Sequence, residues 1–136
     1  MITPYQYVVR SFRVIDGDTI AMELDLGFST FTAQSCRLYG VDAPEHTTTA
    51  GKLVKAVIER WLKLVQTLCV SSVGWDKYAN RFDGIVAAVN SPQIPTLNSY
   101  LLTQGLARPY SGGKKPLWLA DELLAIENKA NSIIQS

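Results

Sequence analysis

From Val8 to Leu38 the chain is patterned for β-structure. Val8 to Ile15 is rich in β-branched residues, and Ile20, Met22, Leu24 and Leu26 alternate with Ala21, Glu23 and Asp25. A repeat of two places one residue set on each face of a strand. Gly27 interrupts, and Phe28 to Leu38 reads as a third strand. Phe31, Ala33, Ser35 and Arg37 share one of its faces, and Cys36 and Leu38 take the other. The period then changes to that of a helix. Val54, Val57, Ile58, Trp61, Leu62 and Val65 fall on one stripe, with Lys52, Lys55, Glu59 and Lys63 opposite. Glu59 and Lys63 add the favourable i,i+4 charge order.

Two short apolar runs follow, Leu68 to Val73 and Ile85 to Val89, separated by the polar "GWDKYANRFDG". After the proline-marked "NSPQIPT", a short helix is predicted around Leu97–Gln104, with Gly105 where a helix-ending glycine would sit. The last helix is predicted to begin near Pro116, since proline is tolerated in a first turn. Leu119, Leu123, Ile126, Ala130 and Ile133 form its seam. Three strands, a helix, two strands and two helices make an α+β chain. That is the element order of a five-stranded OB-fold β-barrel with three α-helices. Periodicity alone does not separate it from other small α+β folds.

Composition narrows the classes. At 136 residues, 47% hydrophobic and 18% charged, the sequence is expected to form a single domain over 1–136 with an ordinary core. A net charge of +1 gives no global footprint for a polyanion, so such a site has to be local. Cys36 and Cys69 are too few for a disulfide framework and lack zinc spacing, so they read as small buried residues. No basic-then-apolar leader opens the given chain, and no apolar run reaches the ~18–20 residues of a membrane span. The expectation is a cytoplasmic protein without a membrane partner, or a secreted one if a leader has been removed.

Polar residues that a core does not need collect at three points: Asp16 and Asp18, then "CRLYGVDAPEH" at 36–46, then "DKYANRF" at 76–82. Asp16-Gly17 alone is a strong hairpin signal, because glycine accepts positive φ. It is not an EF-hand, since the further acidic ligands are missing. Pro44 constrains the turn that carries Asp42 and Glu45. Each feature also has an ordinary structural explanation as a turn or surface ion pair. Together, acids and arginines at strand ends supply what phosphodiester hydrolysis needs. Carboxylates can hold a cation, another can handle the water, and guanidinium groups can neutralise the transition state.

In this order, "VIDGDTI", "CRLYGVDAPE", "DKYANR" and "LNSYLLTQGLARPY" resemble the staphylococcal nuclease family, over about Val8 to at least Trp118. The resemblance implies the same OB barrel and a nuclease acting on DNA and RNA, by water attack that leaves 3′-phosphate ends. Asp18 and Asp42 would be carboxylate ligands of a single Ca²⁺, with Mg²⁺ or Mn²⁺ as alternatives. The backbone carbonyl of Ala43, where the family often has threonine, would be a third ligand. Asp16 would act indirectly, one water removed from the ion. Glu45 would be the general base, and Arg37 and Arg81 would bind the scissile phosphate. Lys77 and Tyr78 match positions near the nucleotide's terminal phosphate, and Tyr110 one beside its sugar and base.

Two departures stand out. "KYANR" has one residue more than the commoner "KYGR", and the loop after Glu45 is cut to "HTTTAG". His46 reads as an exposed loop histidine. The competing expectation is a non-catalytic OB-fold module that binds nucleic acid or serves as a scaffold. No obligate protein partner is evident.

Overall fold

The computed structural model describes residues 5–76 and 79–136. Strands β1 (Gln6–Asp16), β2 (Thr19–Gly27) and β3 (Thr30–Leu38) form an antiparallel meander. A two-residue strand β4 (Val41–Asp42) and helix α1 (Thr49–Leu64) follow. Next come β5 (Leu68–Asp76), β6 (Arg81–Ala88), α2 (Leu97–Thr103), the two-residue β7 (Arg108–Pro109) and α3 (Ala120–Gln135). The barrel closes in the order β1-β2-β3-β6-β5, with β3 and β6 parallel and β5 returning antiparallel to β1. It is the five-stranded barrel with three helices that the element order predicts. β4 and β7 pair separately outside it. No helix among the described residues is long and apolar enough to cross a membrane.

The alternating apolar positions point inward as their period requires. Val14, Ile20, Met22, Leu24, Cys36, Leu38, Val70 and Val86 are buried, as are Val54, Val57, Ile58 and Leu62 of α1. Leu26 is exposed, because β2 runs past the end of the core. β3 begins at Thr30 rather than Phe28, since Gly27, Phe28 and Ser29 all adopt left-handed φ in the turn.

β5 and β6 are longer than their apolar runs. Their pairing extends through Trp75↔Phe82 to Asp76↔Arg81, so seven of the eleven residues of "GWDKYANRFDG" lie in the paired strands. Backbone hydrogen bonds continue where one face of a strand no longer has a core to cover.

α3 starts at Ala120, four residues after Pro116. Pro116 therefore does not open the helix. Its carbonyl is held by Arg108, and Lys115 reaches across to Asp18 and Asp42, which keeps the segment before α3 out of helical geometry.

α2 ends as its glycine indicates. Gly105 has φ +73°, Gly105 N donates to Leu102 O (3.2 Å) and Leu106 N to Leu101 O (3.0 Å). This Schellman closure turns the chain back into β7 and sets Arg108 opposite Asp42. The buried Asn98 fixes α2 to the barrel. Its Nδ2 donates to Tyr39 O (2.9 Å) and Gly84 O (3.1 Å), and its Oδ1 accepts from Val86 N (3.1 Å). Asn98→Ala is expected to cost about 2–3 kcal/mol in urea denaturation, because it strands buried backbone groups.

Candidate active site

Backbone pairing brings the three polar segments together. Leu38 N donates to Asp18 O (2.7 Å), Thr19 pairs with Arg37, and Arg37 pairs with Asp83. The start of β2, the end of β3 and the start of β6 thus meet at one end of the barrel. Asp18 and Asp42 are both buried there, at 8% and 3% exposure. Asp18 Oδ2 accepts from Ala43 N (3.4 Å), while its Oδ1 accepts from the Thr19 hydroxyl (3.2 Å).

Gly17 does not have the positive φ that a hairpin glycine would suggest. A Cβ at this position would lie 2.7 Å from Ala43 Cβ and 2.9 Å from Val54 Cγ1. Glycine is required here for close packing. It lets the Asp16–Asp18 turn lie against the turn of Ala43 and against α1.

A cleft of about 450 Å³ holds Asp16, Asp18, Asp42, Ala43, Glu45 and Arg81. Six of the predicted site positions therefore share one space. A second cleft, about 330 Å³, contains Arg37, Tyr110 and Asp83. Arg81 and Lys115 line both clefts, so the two adjoin. Arg37 and Tyr110 stand beside the acids rather than among them.

The arginines are held differently. Arg37 is buried and donates through Nη1 to Leu38 O (3.3 Å) and through Nη2 to Val41 O (3.0 Å). Its guanidinium also lies 4.7 Å from the centre of the Tyr110 ring. Each Nη keeps a second N–H for a ligand. Arg81 opens β6 after Asn80, whose left-handed φ of +51° makes the turn. Its Nε is buried with no hydrogen-bond partner among the described residues. A buried, unsatisfied donor in a cleft marks a place for an acceptor that the described residues do not supply. Lys77 and Tyr78 lie outside the described residues.

Glu45 is exposed at the cleft's rim. Its carbonyl accepts from Thr48 N (3.0 Å) and from the Thr48 hydroxyl (2.7 Å). Thr48 Oγ1 in turn accepts from Gly51 N (2.9 Å) and caps α1. The short "HTTTAG" loop is thus a helix cap that ties the backbone of Glu45 to α1.

Asp16 has a protein partner of its own. Its Oδ1 accepts from His46 N (2.8 Å) and lies 2.6 Å from His46 Nδ1. His46 is exposed, as expected, but it is a partner of Asp16. Thirty residues separate the two, so no local spacing signals the pair.

Three contributors are not foreseen by the motifs. Arg108 Nε donates to Asp42 Oδ2 at 2.8 Å, and its guanidinium stacks 3.7 Å from the Trp118 ring centre. Lys115 Nζ stands 3.7 Å from both Asp18 Oδ2 and Asp42 Oδ1. Arg108 lies within the quoted "LNSYLLTQGLARPY", but only the β4–β7 pairing shows that it reaches Asp42.

Among the described residues, no three His, Cys, Asp or Glu side chains come close enough to share a metal ion. What fits a cation is the facing pair Asp18 and Asp42, between which the Lys115 ammonium already stands. Two carboxylates in a cleft suit a hard ion that keeps several waters. The thiol nearest this end of the barrel offers no alternative chemistry. Burial, with the Asp83 charge added, pushes the Cys36 thiol up to about 12, so it stays neutral and unreactive.

Residues 35–133 match the family model described as staphylococcal nuclease homologue. No curated protein matches the chain significantly. The matched span includes Arg37, Asp42, Glu45, Arg81 and Tyr110 and begins after Asp16 and Asp18. The barrel's strand pairing brings those two acids to the same place. With most of its length matched and the barrel to go with it, the chain belongs to the staphylococcal nuclease homologue family, a nuclease-like or nucleic-acid-binding OB-fold module.

Proposed function

We propose that this protein is a metal-dependent nuclease that hydrolyses DNA and RNA phosphodiester bonds by direct attack of water. The observation that carries this reading is the shared cleft. Two buried carboxylates face each other there, and the Nε of Arg81 has no partner among the described residues. Asp18, Asp42 and the backbone carbonyl of Ala43 would hold a divalent cation, Ca²⁺ by preference, which supplies counter-charge and polarises the phosphoryl group.

The chain's own groups do the rest. Glu45, exposed to solvent at the rim, takes the proton of the attacking water. Arg81 offers its unsatisfied Nε, and Arg37 its remaining N–H groups, to the phosphate oxygens on which charge builds. Tyr110 lies under Arg37 with its hydroxyl donating to Gly113 O (2.6 Å), where it can support the sugar and base. Asp16, held by His46, lines the edge of the cleft. With no Ser/His/Asp set in the motifs and Cys36 neutral, water rather than a side chain is the nucleophile.

One observation favours the second reading, a binding module without chemistry. Asp18 and Asp42 already have Arg108 and Lys115 as counter-ions, so the site is balanced without a metal. Cleavage of labelled DNA and RNA with Ca²⁺, Mg²⁺, Mn²⁺ or EGTA, followed by end-group analysis, separates the two. Cleavage should vanish in EGTA, return with Ca²⁺ and leave 3′-phosphates. Binding without cleavage under every condition would establish the module. Glu45→Gln should lower turnover by at least about 10²-fold while nucleic-acid affinity stays within about twofold. Wild-type turnover in that variant would remove Glu45 as the base.

A further inference from the structure

Lys115 stands at the two carboxylates to which the proposed function assigns a metal ion. It faces one oxygen of each buried carboxylate, Oδ2 of Asp18 and Oδ1 of Asp42, at 3.7 Å. The other oxygen of Asp42 is taken by Arg108. Two carboxylates and two cations therefore form a set with no net charge. A divalent ion bound by Asp18 and Asp42 would compete for the same two oxygens. A like charge a few ångströms away opposes it.

Gly112 and Gly113, at φ +105° and +84°, precede Lys115, whose side chain is 40% exposed. Nothing else in the described structure pairs with its ammonium, apart from the Tyr110 ring at 5.3 Å. That ring belongs to the adjoining cleft, whose wall Lys115 also forms.

We propose that Lys115 is a tethered competitor of the divalent cation. It neutralises Asp18 and Asp42 while no metal is bound, and it sets the metal affinity of the site by having to leave. This inference rests on the metal-binding reading above. The apparent affinity of a site that is competent only part of the time falls by that fraction. Removing the ammonium therefore tightens metal binding, and an arginine in its place does not.

Calorimetric titration of the full chain with CaCl2 and with MnCl2 tests this directly. Lys115→Gln is expected to bind at least about tenfold more tightly than the parent, as when the lysine holds the site about nine-tenths of the time. Lys115→Arg should bind like the parent, and Asp42→Asn should abolish binding in either background. Equal affinity of parent and Lys115→Gln, with Asp42→Asn still abolishing binding, overturns the competitor and leaves the metal site standing. No binding by parent or by Lys115→Gln overturns the metal site and this inference with it. If Lys115→Gln is unfolded in EDTA, the rise of its Tm with Ca²⁺ reads the same affinity by linkage. A rise no larger than the parent's overturns the competitor.

Discussion

Replacing Arg81 by alanine is expected to lower turnover at least about 10²-fold, the scale of losing one donor to a charged transition state. The same change should lower stability by less than about 1 kcal/mol, because a buried Nε without a partner leaves no acceptor stranded when it goes. Arg37→Ala is expected to lose as much turnover but to destabilise as well, by about 1–3 kcal/mol. Arg37 donates to the carbonyls of Leu38 and Val41, and these would be left unpaired in a buried place. Single-turnover cleavage and urea denaturation of both variants read the two effects separately. The contrast is the test: one arginine is held for the ligand, and the other also closes the turn between β3 and β4. Wild-type turnover in Arg81→Ala, or a destabilisation equal to that of Arg37→Ala, would show that Arg81 is part of the scaffold.

The barrel was legible because its strands are half-buried and alternate. Ile20, Met22 and Leu24 repeat at two, and the stripe from Val54 to Leu62 repeats at the period of a helix. Features that depend on contacts across the sequence were not legible. β5 and β6 run on through Asp76 and Arg81 because their backbones keep pairing, and no hydrophobic pattern records that. Pro116 has the properties of a helix start, yet its carbonyl accepts from Arg108, eight residues earlier, and the neighbouring Lys115 reaches Asp18 and Asp42, far back in the chain. The predicted acids of the cleft and Arg81 do converge, since each lies at or near a strand end that the fold gathers. Arg37 and Tyr110 fall in the neighbouring cleft, a separation that motif order does not express. Gly17 lies in the two-residue turn between β1 and β2 that its dipeptide signals, but its φ is not positive, and its missing side chain also serves the packing of Ala43 and Val54.

Gly51 makes the same point with a larger consequence. Gly51→Ala is expected to destabilise the fold by about 3 kcal/mol through overpacking, although helix propensity alone predicts a gain of up to about 1 kcal/mol. Gly51 is a buried residue of the first turn of α1. A Cβ there would lie 1.8 Å from Glu45 O, 2.4 Å from Glu45 C and 2.9 Å from Pro44 O. These are backbone atoms that cannot rotate away, so the turn bearing the base has to shift. The same carbonyl of Glu45 accepts both hydrogen bonds from Thr48, the residue whose side chain caps α1, and a shift breaks them together. Displacing the base by about an ångström should lower turnover by about 10²-fold even where the variant remains folded. Gly74→Ala is the control, because a Cβ at Gly74 meets nothing within 4 Å and its φ is not positive. Urea denaturation of both variants, with cleavage measured at a temperature where each is folded, gives the outcome. A Gly51→Ala protein as stable and as active as the Gly74→Ala control would mean that the loop after Glu45 does not pack on α1 as described. A loss of both properties in Gly51→Ala alone would show that one hydrogen atom at this position holds the base of the site in place.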